Sequence, residues 1–478
     1  MVSIFSALER NKQKMGNRIV AGLAALCLVM PNAGLRFSDL GPNWSAERSH
    51  ATQQEAESKK NDQTAEDESL SINSIKVNGT DLREYVIVLP KEADRYEKYA
   101  AAVLNDYLET EAGYTLTVEY DTDDEAAYEL LIGGTSREES VRAGEVVLAD
   151  DEYILSSEDG RIVMEGESYM IGAAVSAFVD NFRPSEEIKD FDFTISGEIS
   201  PAKFEFKAPN SAILIIGDGM GKNHVDTALK CGLDEFTGRL FENVGESITY
   251  SFSSDVTDSA AGGTALSSGY KTINGYVGMD PGKNPRQNVR ELAAEHGAAT
   301  AVITTDAITG ATPGAFTVHV DDRHKTDEIA AAQAKIEIDY IKGSIAENEL
   351  VSELGAALRN ISKGGKSFFI MAEEAHVDIN SHDNNADGMI NSMFCINETI
   401  AYAAEFVLIH PDTVLIVTAD HETGGVRIKK DGSIWAFSTY GHTGVNVPIY
   451  ALGYGTEIFK DTAVENTKVA EFAMNIWK

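Results

Sequence analysis

Short, fully apolar segments alternate with longer helix-like segments through the second half of the chain. The apolar segments are 212–216, 300–304, 368–371, 414–417 and 447–452. A strand that is buried on both faces is apolar at every position, and intervening helices cover the two faces of such a sheet. The pattern therefore predicts an α/β fold for residues 206–478, with a mostly parallel sheet sandwiched by helices.

Residues 72–205 show a different pattern, in which short strand-like segments mix with helix-like ones. Strands are predicted at 85–89, 116–120 and 128–132, helices at 99–107 and 170–182, and a hairpin at 153–164. This order predicts a small mixed α+β accessory domain. It offers no set of residues suited to catalysis, so we interpret it as a binding or positioning module of unknown partner, or equally as a structural cap.

The first 71 residues predict no packed core. Basic residues between 10 and 18 precede an apolar stretch, 19–30, that is too short to span a bilayer comfortably, as in a cleaved signal peptide over residues 1–34. Residues 35–71 are polar and low in complexity, which predicts a disordered linker. Together these features predict an exported protein, periplasmic or extracellular, with no membrane association after signal cleavage.

The chain is strongly acidic, with 40 Lys and Arg against 76 Asp and Glu and a formal net charge of −36. Such a surface repels nucleic-acid phosphates and anionic membranes, so neither is an expected partner. A phosphorylated small molecule can bind only where metal ions or an arginine invert the field locally. Cys231 and Cys395, which remain after signal cleavage, lie far apart and form no disulfide framework. We expect two buried thiols, with a single bridge between them as the alternative.

Polar residues with metal-binding chemistry lie next to the predicted strands of the α/β unit. Ligands in such folds gather at the carboxyl ends of the strands, so these residues are expected to converge at one edge of the sheet. Carboxylates mixed with imidazoles suit zinc, and magnesium fits where only oxygens meet. Asp378 and His382 are one helical turn apart and can reach one ion. The converging residues are Asp218, Thr312, Arg323, Glu373, Asp378, His382, Asp420, His421 and His442.

One serine stands out among these potential ligands. Ser259 follows Asp258 and begins a run of small residues that extends to 265. A serine surrounded by potential metal ligands suggests a nucleophile activated by metal rather than by a histidine base. A serine hydrolase of the α/β type is disfavoured, because the chain has no Gly-x-Ser-x-Gly elbow.

The α/β unit also carries five motifs in a recognisable order. They are 216–221, Asp258-Ser259-Ala260 continuing into 269–275, Ala311-Thr312-Pro313 to Arg323, 418–421, and His442-Thr443-Gly444. Over roughly residues 211–455 these motifs resemble the alkaline phosphatase family. The resemblance implies hydrolysis of phosphate monoesters through a phosphoserine intermediate on Ser259, releasing inorganic phosphate from small phosphorylated substrates.

The resemblance also implies two zinc ions, one magnesium ion and a role for each candidate residue. Arg323 would bind the substrate phosphate, and Asp258 would help to orient it. The implied ligands are Asp378, His382 and His442 for the first zinc, Asp420, His421 and Asp218 for the second, and Asp218, Thr312 and Glu373 for the magnesium.

Three positions depart from the family pattern. Gly310 stands where relatives carry Asp or His, Ile379 where they often carry Lys or His, and Glu374 where glycine is usual. The first two leave the identity of the third metal open. Glu374 is a rival to Glu373 as ligand, although spacing favours Glu373. The other histidines are interpreted as structural or exposed, with His319 and His376 nearest the site.

Two further functions are weighed against phosphomonoester hydrolysis. The nearer is a phosphodiesterase or sulfatase-like hydrolase of the same superfamily. The other is a catalytically silent protein that binds metal or glycan through its N-terminal domain, which the complete ligand set disfavours. Only 20 residues separate His421 from His442, which leaves no room for a large insertion at a dimer interface. A homodimer therefore stays open but has no support from the sequence.

Overall fold

The computed structural model describes residues 72–184, 188–428 and 437–478. The predicted signal peptide and linker lie outside these residues, so export stays a prediction. Contacts between residues group the whole described chain into one compact unit. These contacts mark no boundary at residue 205, so the predicted division into an N-terminal domain and an α/β domain stays a prediction.

The first part of the described chain contains strands β1–β9 and helices α1–α3. The strands are β1 (Ser74–Val77), β2 (Thr80–Asp81), β3 (Val86–Leu89), β4 (Val118–Tyr120), β5 (Glu129–Ile132), β6 (Glu152–Glu158), β7 (Arg161–Gly166), β8 (Asp190–Phe193) and β9 (Ala202–Lys203). The helices are α1 (Arg95–Ala112), α2 (Glu138–Ala143) and α3 (Ile171–Val179). The strands form a mixed sheet of order β4-β3-β5-β7-β6-β9 and a smaller sheet of order β2-β1-β8. A mixed α+β arrangement is what the sequence predicts for this part.

Helix α1 is longer than its predicted core because polar residues extend and cap it. Asp94 accepts a hydrogen bond from the Glu97 amide, and Glu97 accepts one from the Asp94 amide, a reciprocal capping box. The helix ends at Gly113, whose φ of 74° lies in the left-handed region that glycine adopts without strain.

The second part contains strands β10–β19 and helices α4–α12. The strands are β10 (Ser211–Gly217), β11 (Asn243–Ile248), β12 (Ala299–Thr304), β13 (Tyr340–Lys342), β14 (Phe368–Glu374), β15 (Thr413–Thr418), β16 (Glu422–Thr423), β17 (His442–Thr443), β18 (Val447–Leu452) and β19 (Ala463–Glu465). The helices are α4 (Lys222–Lys230), α5 (Ser259–Ser268), α6 (Val289–Glu295), α7 (Ala311–Thr317), α8 (Thr326–Gln333), α9 (Leu350–Ile361), α10 (His376–His382), α11 (Ala386–Ile409) and α12 (Thr467–Met474).

The main sheet confirms the predicted α/β class. Its order is β13-β12-β14-β10-β15-β18-β11-β19, and β10, β12, β14 and β15 are buried at every position. These central strands run parallel to one another, whereas β18 pairs antiparallel with both β15 and β11. The start of β18 therefore lies at the edge where its neighbours end, and the chain that enters it can contribute to the same site.

Helix α11 packs against both parts of the chain. It passes the length and hydropathy test for a membrane span, alone among the described helices, but 83% of its most apolar window is buried inside the protein, as in a core helix. The Tyr402 hydroxyl of α11 donates to Asp106 of α1 at 2.6 Å, and Asp106 also pairs with Arg359 of α9 at 2.5 Å. The N-terminal part is thus held to the α/β part by partly buried polar contacts.

Candidate metal centre and nucleophile

The sequence-predicted site residues converge at the carboxyl edge of the main sheet. Asp218 directly follows β10, Glu373 is the penultimate residue of β14, and Asp420 and His421 follow β15. His442 comes from the short strand β17, which pairs antiparallel with β16 immediately after His421. The paired strands β16 and β17 thereby place His442 beside the end of β15, at the edge where the antiparallel strand β18 begins.

Asp378, His382 and His442 form the first ligand group. His382 Nε2 lies 3.4 Å from Asp378 Oδ2 and 3.1 Å from His442 Nε2, and His442 Nε2 lies 3.6 Å from Asp378 Oδ1. Asp378 and His382 share one face of α10, as their spacing predicts. Three ligand atoms at such separations can surround one ion.

Hydrogen bonds fix both imidazoles of this group in the orientation that a ligand needs. His382 Nδ1 contacts the Tyr440 carbonyl oxygen at 2.5 Å, and His442 Nδ1 contacts the Thr257 carbonyl oxygen at 2.9 Å. A carbonyl oxygen only accepts, so each Nδ1 carries the proton and donates. Each Nε2 is then left with a lone pair directed at Asp378, which is the usual arrangement behind a metal-bound histidine.

Asp218, Asp420 and His421 form the second ligand group, which is more deeply buried. His421 Nε2 lies 3.2 Å from Asp420 Oδ2 and 3.5 Å from Asp218 Oδ1. His421 and Asp420 have no exposed surface. Burial lowers the pKa of His421, which keeps the imidazole neutral, as a ligand must be. Burial, together with the charges of Asp420, Asp378 and Glu373, raises the pKa of Asp218 well above its usual range.

Ser259 faces this second group from the first position of α5. Its Oγ lies 3.2 Å from His421 Nε2, and the side chain is 4% exposed. Asp258 is the N-cap of α5 and accepts a hydrogen bond from the Ala261 amide at 2.9 Å. The N-terminus of the helix therefore presents the serine hydroxyl and favours negative charge beside it.

Asp218 also contacts Thr312, one of the other two oxygen ligands predicted for the third metal. Thr312 Oγ1 donates to Asp218 Oδ2 at 3.5 Å, and Thr304 donates to Glu373 Oε2. Burial raises the pKa of Glu373 to about 8, and the charges of Asp306 and Asp420 act in the same direction. This third group contains oxygen donors alone, as magnesium prefers.

Arg323 reaches the site beside the nucleophile. Its Nη1 lies 3.4 Å from Asp258 Oδ2, and that oxygen also accepts from the Gly275 amide at 2.9 Å. The guanidinium is 30% exposed, so it retains free N–H groups on the solvent side. Asp258 thus holds both the start of α5 and the arginine.

The residues present fit bound cations. Within the described chain, Asp218 Oδ1 and Asp420 Oδ2 are buried atoms with no hydrogen-bond partner, and both approach His421 Nε2. Buried carboxylate oxygens without a partner carry a large desolvation cost, which a cation between them removes. The donor chemistry suits zinc in the two groups that contain histidine and magnesium in the group made of oxygens.

Sequence reasoning missed one side chain that ties the two histidine groups together. The Thr423 hydroxyl donates to Asp378 Oδ1 and lies 3.2 Å from His421 Nδ1. It can accept the Nδ1 proton of His421 while it donates to Asp378. Gly219 makes room for this contact, since a Cβ there would lie 2.8 Å from Thr423 Oγ1 at a φ of 73°. Thr423 lies just past the Asp420-His421 pair, and a threonine carries no sequence signal for such a role.

The three departures from the family pattern have structural counterparts. A Cβ at Gly310 would lie 2.1 Å from Asp306 Oδ2, so the Asp306 carboxylate occupies the space beside this glycine. Ile379 is 42% exposed on the outer side of α10. Glu374 contacts Thr305 and His376 rather than the third metal group, and the geometry therefore favours Glu373 as the ligand.

Among the described residues, the histidines predicted as structural or exposed lie outside the three groups. His224 is fully buried, and its Nε2 lies 3.1 Å from Ser381 Oγ; burial lowers its pKa to about 4. His319 contacts Glu291 at 2.8 Å and the Gly278 carbonyl oxygen at 2.7 Å.

A serine at a helix N-terminus lies beside two histidine-carboxylate groups at the edge of a mostly parallel sheet, an arrangement that suits metal-dependent hydrolysis. The family model "Alkaline phosphatase" matches residues 210–355 and 332–439 in two overlapping segments. The α/β part of this chain is therefore similar to the alkaline phosphatase family.

Individual relatives agree with this assignment. "Alkaline phosphatase 4" of Bacillus subtilis is 28% identical over 308 residues, which cover 49% of this chain and 66% of that protein. "Streptomycin-6-phosphate phosphatase" of Streptomyces griseus is 36% identical over 154 residues, which cover 30% of this chain and 34% of that protein. The chain thus spans at most about two thirds of the length of these curated relatives.

Solved structures show the same fold. The alkaline phosphatase of the Antarctic bacterium TAB5 is 27% identical, with a TM-score of 0.54, and the match covers 57% of this chain and 100% of that one. A His 135 Asp mutant of the same enzyme, described with Mg bound in its M3 site, matches with a TM-score of 0.53 at 27% identity, covering 57% of this chain and 99% of that one. The match leaves the remaining 43% or so of this chain uncovered.

Proposed function

We propose that this chain hydrolyses phosphate monoesters of small molecules through a phosphoserine intermediate on Ser259 and releases inorganic phosphate. The observation that carries the proposal is the position of Ser259 Oγ, 3.2 Å from His421 Nε2 at the head of α5. A nucleophile there is surrounded by two groups of metal ligands, with an arginine beside it. The match to the alkaline phosphatase family supports hydrolase chemistry of this kind.

The proposal assigns two zinc ions and one magnesium ion to the three ligand groups. Bound there, the zinc ions would supply charge that lowers the pKa of the serine hydroxyl and of the attacking water and stabilises the leaving alkoxide. The proposed ligands are Asp378, His382 and His442 for one zinc, Asp218, Asp420 and His421 for the other, and Asp218, Thr312 and Glu373 for magnesium.

Residues of the chain itself orient the reaction. Ser259 Oγ forms the bond to phosphorus as the ester oxygen departs, and a water molecule later displaces the serine oxygen to give inorganic phosphate. The amides at the N-terminus of α5 face the phosphoryl oxygens, and Asp258 holds Arg323 at 3.4 Å so that the guanidinium fork can take two of those oxygens. Two displacements at phosphorus give net retention of configuration.

Substrate choice tests the proposed function directly. We expect kcat/KM for p-nitrophenyl phosphate to exceed that for bis(p-nitrophenyl) phosphate and for p-nitrophenyl sulfate by at least roughly 100-fold. A monoester dianion offers Arg323 two charged oxygens, whereas a diester or sulfate ester carries one charge fewer, and a charge-assisted hydrogen bond accounts for about 1.5–3 kcal/mol. Equal or higher turnover of the diester or the sulfate would reassign the chain to that activity.

The role of Arg323 is tested by phosphate inhibition. The Arg323→Ala variant is expected to raise the inhibition constant of inorganic phosphate by roughly 10- to 100-fold, since it removes a bidentate contact to the anion. Arg286→Ala is the matched control, because Arg286 also pairs with an aspartate, Asp280, at 2.5 Å and is similarly exposed at 35%. If both variants, or neither, changed the inhibition constant, Arg323 would not be the phosphate-binding residue.

A further inference from the structure

A second cluster of ligand-type side chains lies outside the three groups described above. It consists of Glu347, Glu374 and His376, whose ligand atoms all lie within 4.8 Å of one another. Glu374 is the last residue of β14, His376 is the first residue of α10, and Glu347 begins the 3₁₀ turn before α9. Three separate elements therefore bring one imidazole and two carboxylates together.

This cluster faces away from the proposed catalytic groups. Successive residues of a strand point to opposite faces, so Glu373 and Glu374 diverge at the end of β14. The end of β12 follows the same alternation, since Thr304, its last residue, donates to Glu373, while Thr305 donates to Glu374 at 3.2 Å. The cluster thus shares no ligand with the metal groups assigned above.

The carboxylate of Glu374 is only half satisfied. Its Oε1 accepts from the His376 amide at 2.9 Å and lies 3.3 Å from His376 Nδ1. Its Oε2 is buried with no hydrogen-bond partner, in a side chain with no exposed surface. An unpartnered carboxylate oxygen at full burial is costly, and a cation is the partner that removes most of that cost.

The surroundings supply little positive charge to offset two carboxylates. Glu347 Oε2 accepts from two neutral donors, Ser392 Oγ at 2.7 Å and Asn391 Nδ2 at 3.4 Å. The charges that act most strongly on His376 are those of Glu374, Glu347 and Asp306, all acids.

We propose that Glu347, Glu374 and His376 bind a further divalent cation, and that zinc suits the site best. One imidazole nitrogen and two carboxylate oxygens are ligands that zinc accepts readily, with water completing the coordination. His376 is 30% exposed, which gives an ion access from solvent. The bound ion joins the end of β14, the start of α10 and the turn before α9. The competing explanation is a simple ion pair between protonated His376 and Glu374, with no metal.

Zinc stoichiometry distinguishes the two explanations. The full chain is dialysed to equilibrium against Zn²⁺, and zinc per chain is measured by mass spectrometry for the native protein and for Glu347→Gln, Glu374→Gln and His376→Gln. Each variant is expected to hold one zinc fewer than the native protein. His319→Gln is the matched control, because it breaks another histidine-glutamate contact, 2.8 Å to Glu291, without touching the cluster; its zinc content should equal the native value.

A measurement on the native protein removes any dependence on the folding of the variants. Crystals equilibrated with zinc are expected to show an anomalous difference peak among Glu347, Glu374 and His376, separate from any peaks at the catalytic groups. Native zinc content in all three variants, or a map with peaks at the catalytic groups and none at this cluster, would overturn the proposal. Because the map locates each ion separately, failure of this site is distinguishable from failure of the proposed phosphatase function.

Discussion

Replacement of Ser259 by alanine is expected to lower kcat for p-nitrophenyl phosphate by at least about 10³-fold, because it removes the proposed nucleophile while leaving the ligand groups intact. Some hydrolysis should persist, since metal-activated water can still attack the bound ester slowly. Ser268→Ala is the matched control: Ser268 is buried in the same helix and donates to the Thr264 carbonyl oxygen at 2.7 Å, away from His421. That variant should keep near-native kcat.

The covalent step gives this prediction a second readout. Native protein incubated with phosphate at acidic pH and then denatured should carry one phosphoryl group on Ser259, detectable as added mass on the peptide that contains it. Ser259→Ala should carry none. Full activity in Ser259→Ala, or a phosphoryl group on another residue, would show that the serine is not the nucleophile.

The convergence of the site could be predicted from the sequence because each central strand contains a run of consecutive apolar residues. In strands such as β10 and β15, the apolar run indicates that the strand is buried and shows where it ends. Because the carboxyl ends of parallel strands share one edge of the sheet, Asp218 and Asp420-His421, which follow these strands, are expected at that edge. His442 is the less obvious member. It precedes a strand, and it reaches the site because β18 runs antiparallel to its neighbour.

Contacts made by backbone atoms could not be predicted from the sequence. The carbonyl oxygens of Thr257 and Tyr440 set the tautomers of His442 and His382, but any residue type supplies a carbonyl oxygen. The position of Asp306 beside Gly310 was equally hidden, since it depends on how the loop after β12 folds back on itself. Such features follow from three-dimensional packing and not from spacing along the chain.

The attachment of the N-terminal part to the α/β part also could not be predicted. Tyr99 appeared as one position of an amphipathic helix, and nothing nearby indicated that its hydroxyl donates to Glu398 of α11 at 2.9 Å. Asp106 is similar, since its partners Arg359 and Tyr402 lie more than 250 residues further along the chain. Amphipathic periodicity gives the buried face of a helix but does not identify what covers it.

Removal of divalent metal is expected to lower hydrolysis of p-nitrophenyl phosphate by at least about 10³-fold. Dialysis against EDTA would leave the ligand group of Asp218 and the ligand group of Asp378 without a cation. No metal ion would then lower the pKa of the serine hydroxyl. Zinc with magnesium should restore activity. Calcium should not, because it favours six to eight oxygen ligands, whereas each proposed zinc group presents histidine nitrogen.

A ligand variant separates loss of metal from loss of the fold in this experiment. Asp420→Asn keeps the shape of the side chain but removes its charge from the buried group, so it should bind zinc more weakly and need more zinc for half-maximal activity. Asp412→Asn, a surface aspartate whose Oδ2 accepts from Asn210 at 2.9 Å, should require the same zinc concentration as the native protein. Activity that survives EDTA, with zinc absent by mass spectrometry, would contradict the metal assignment.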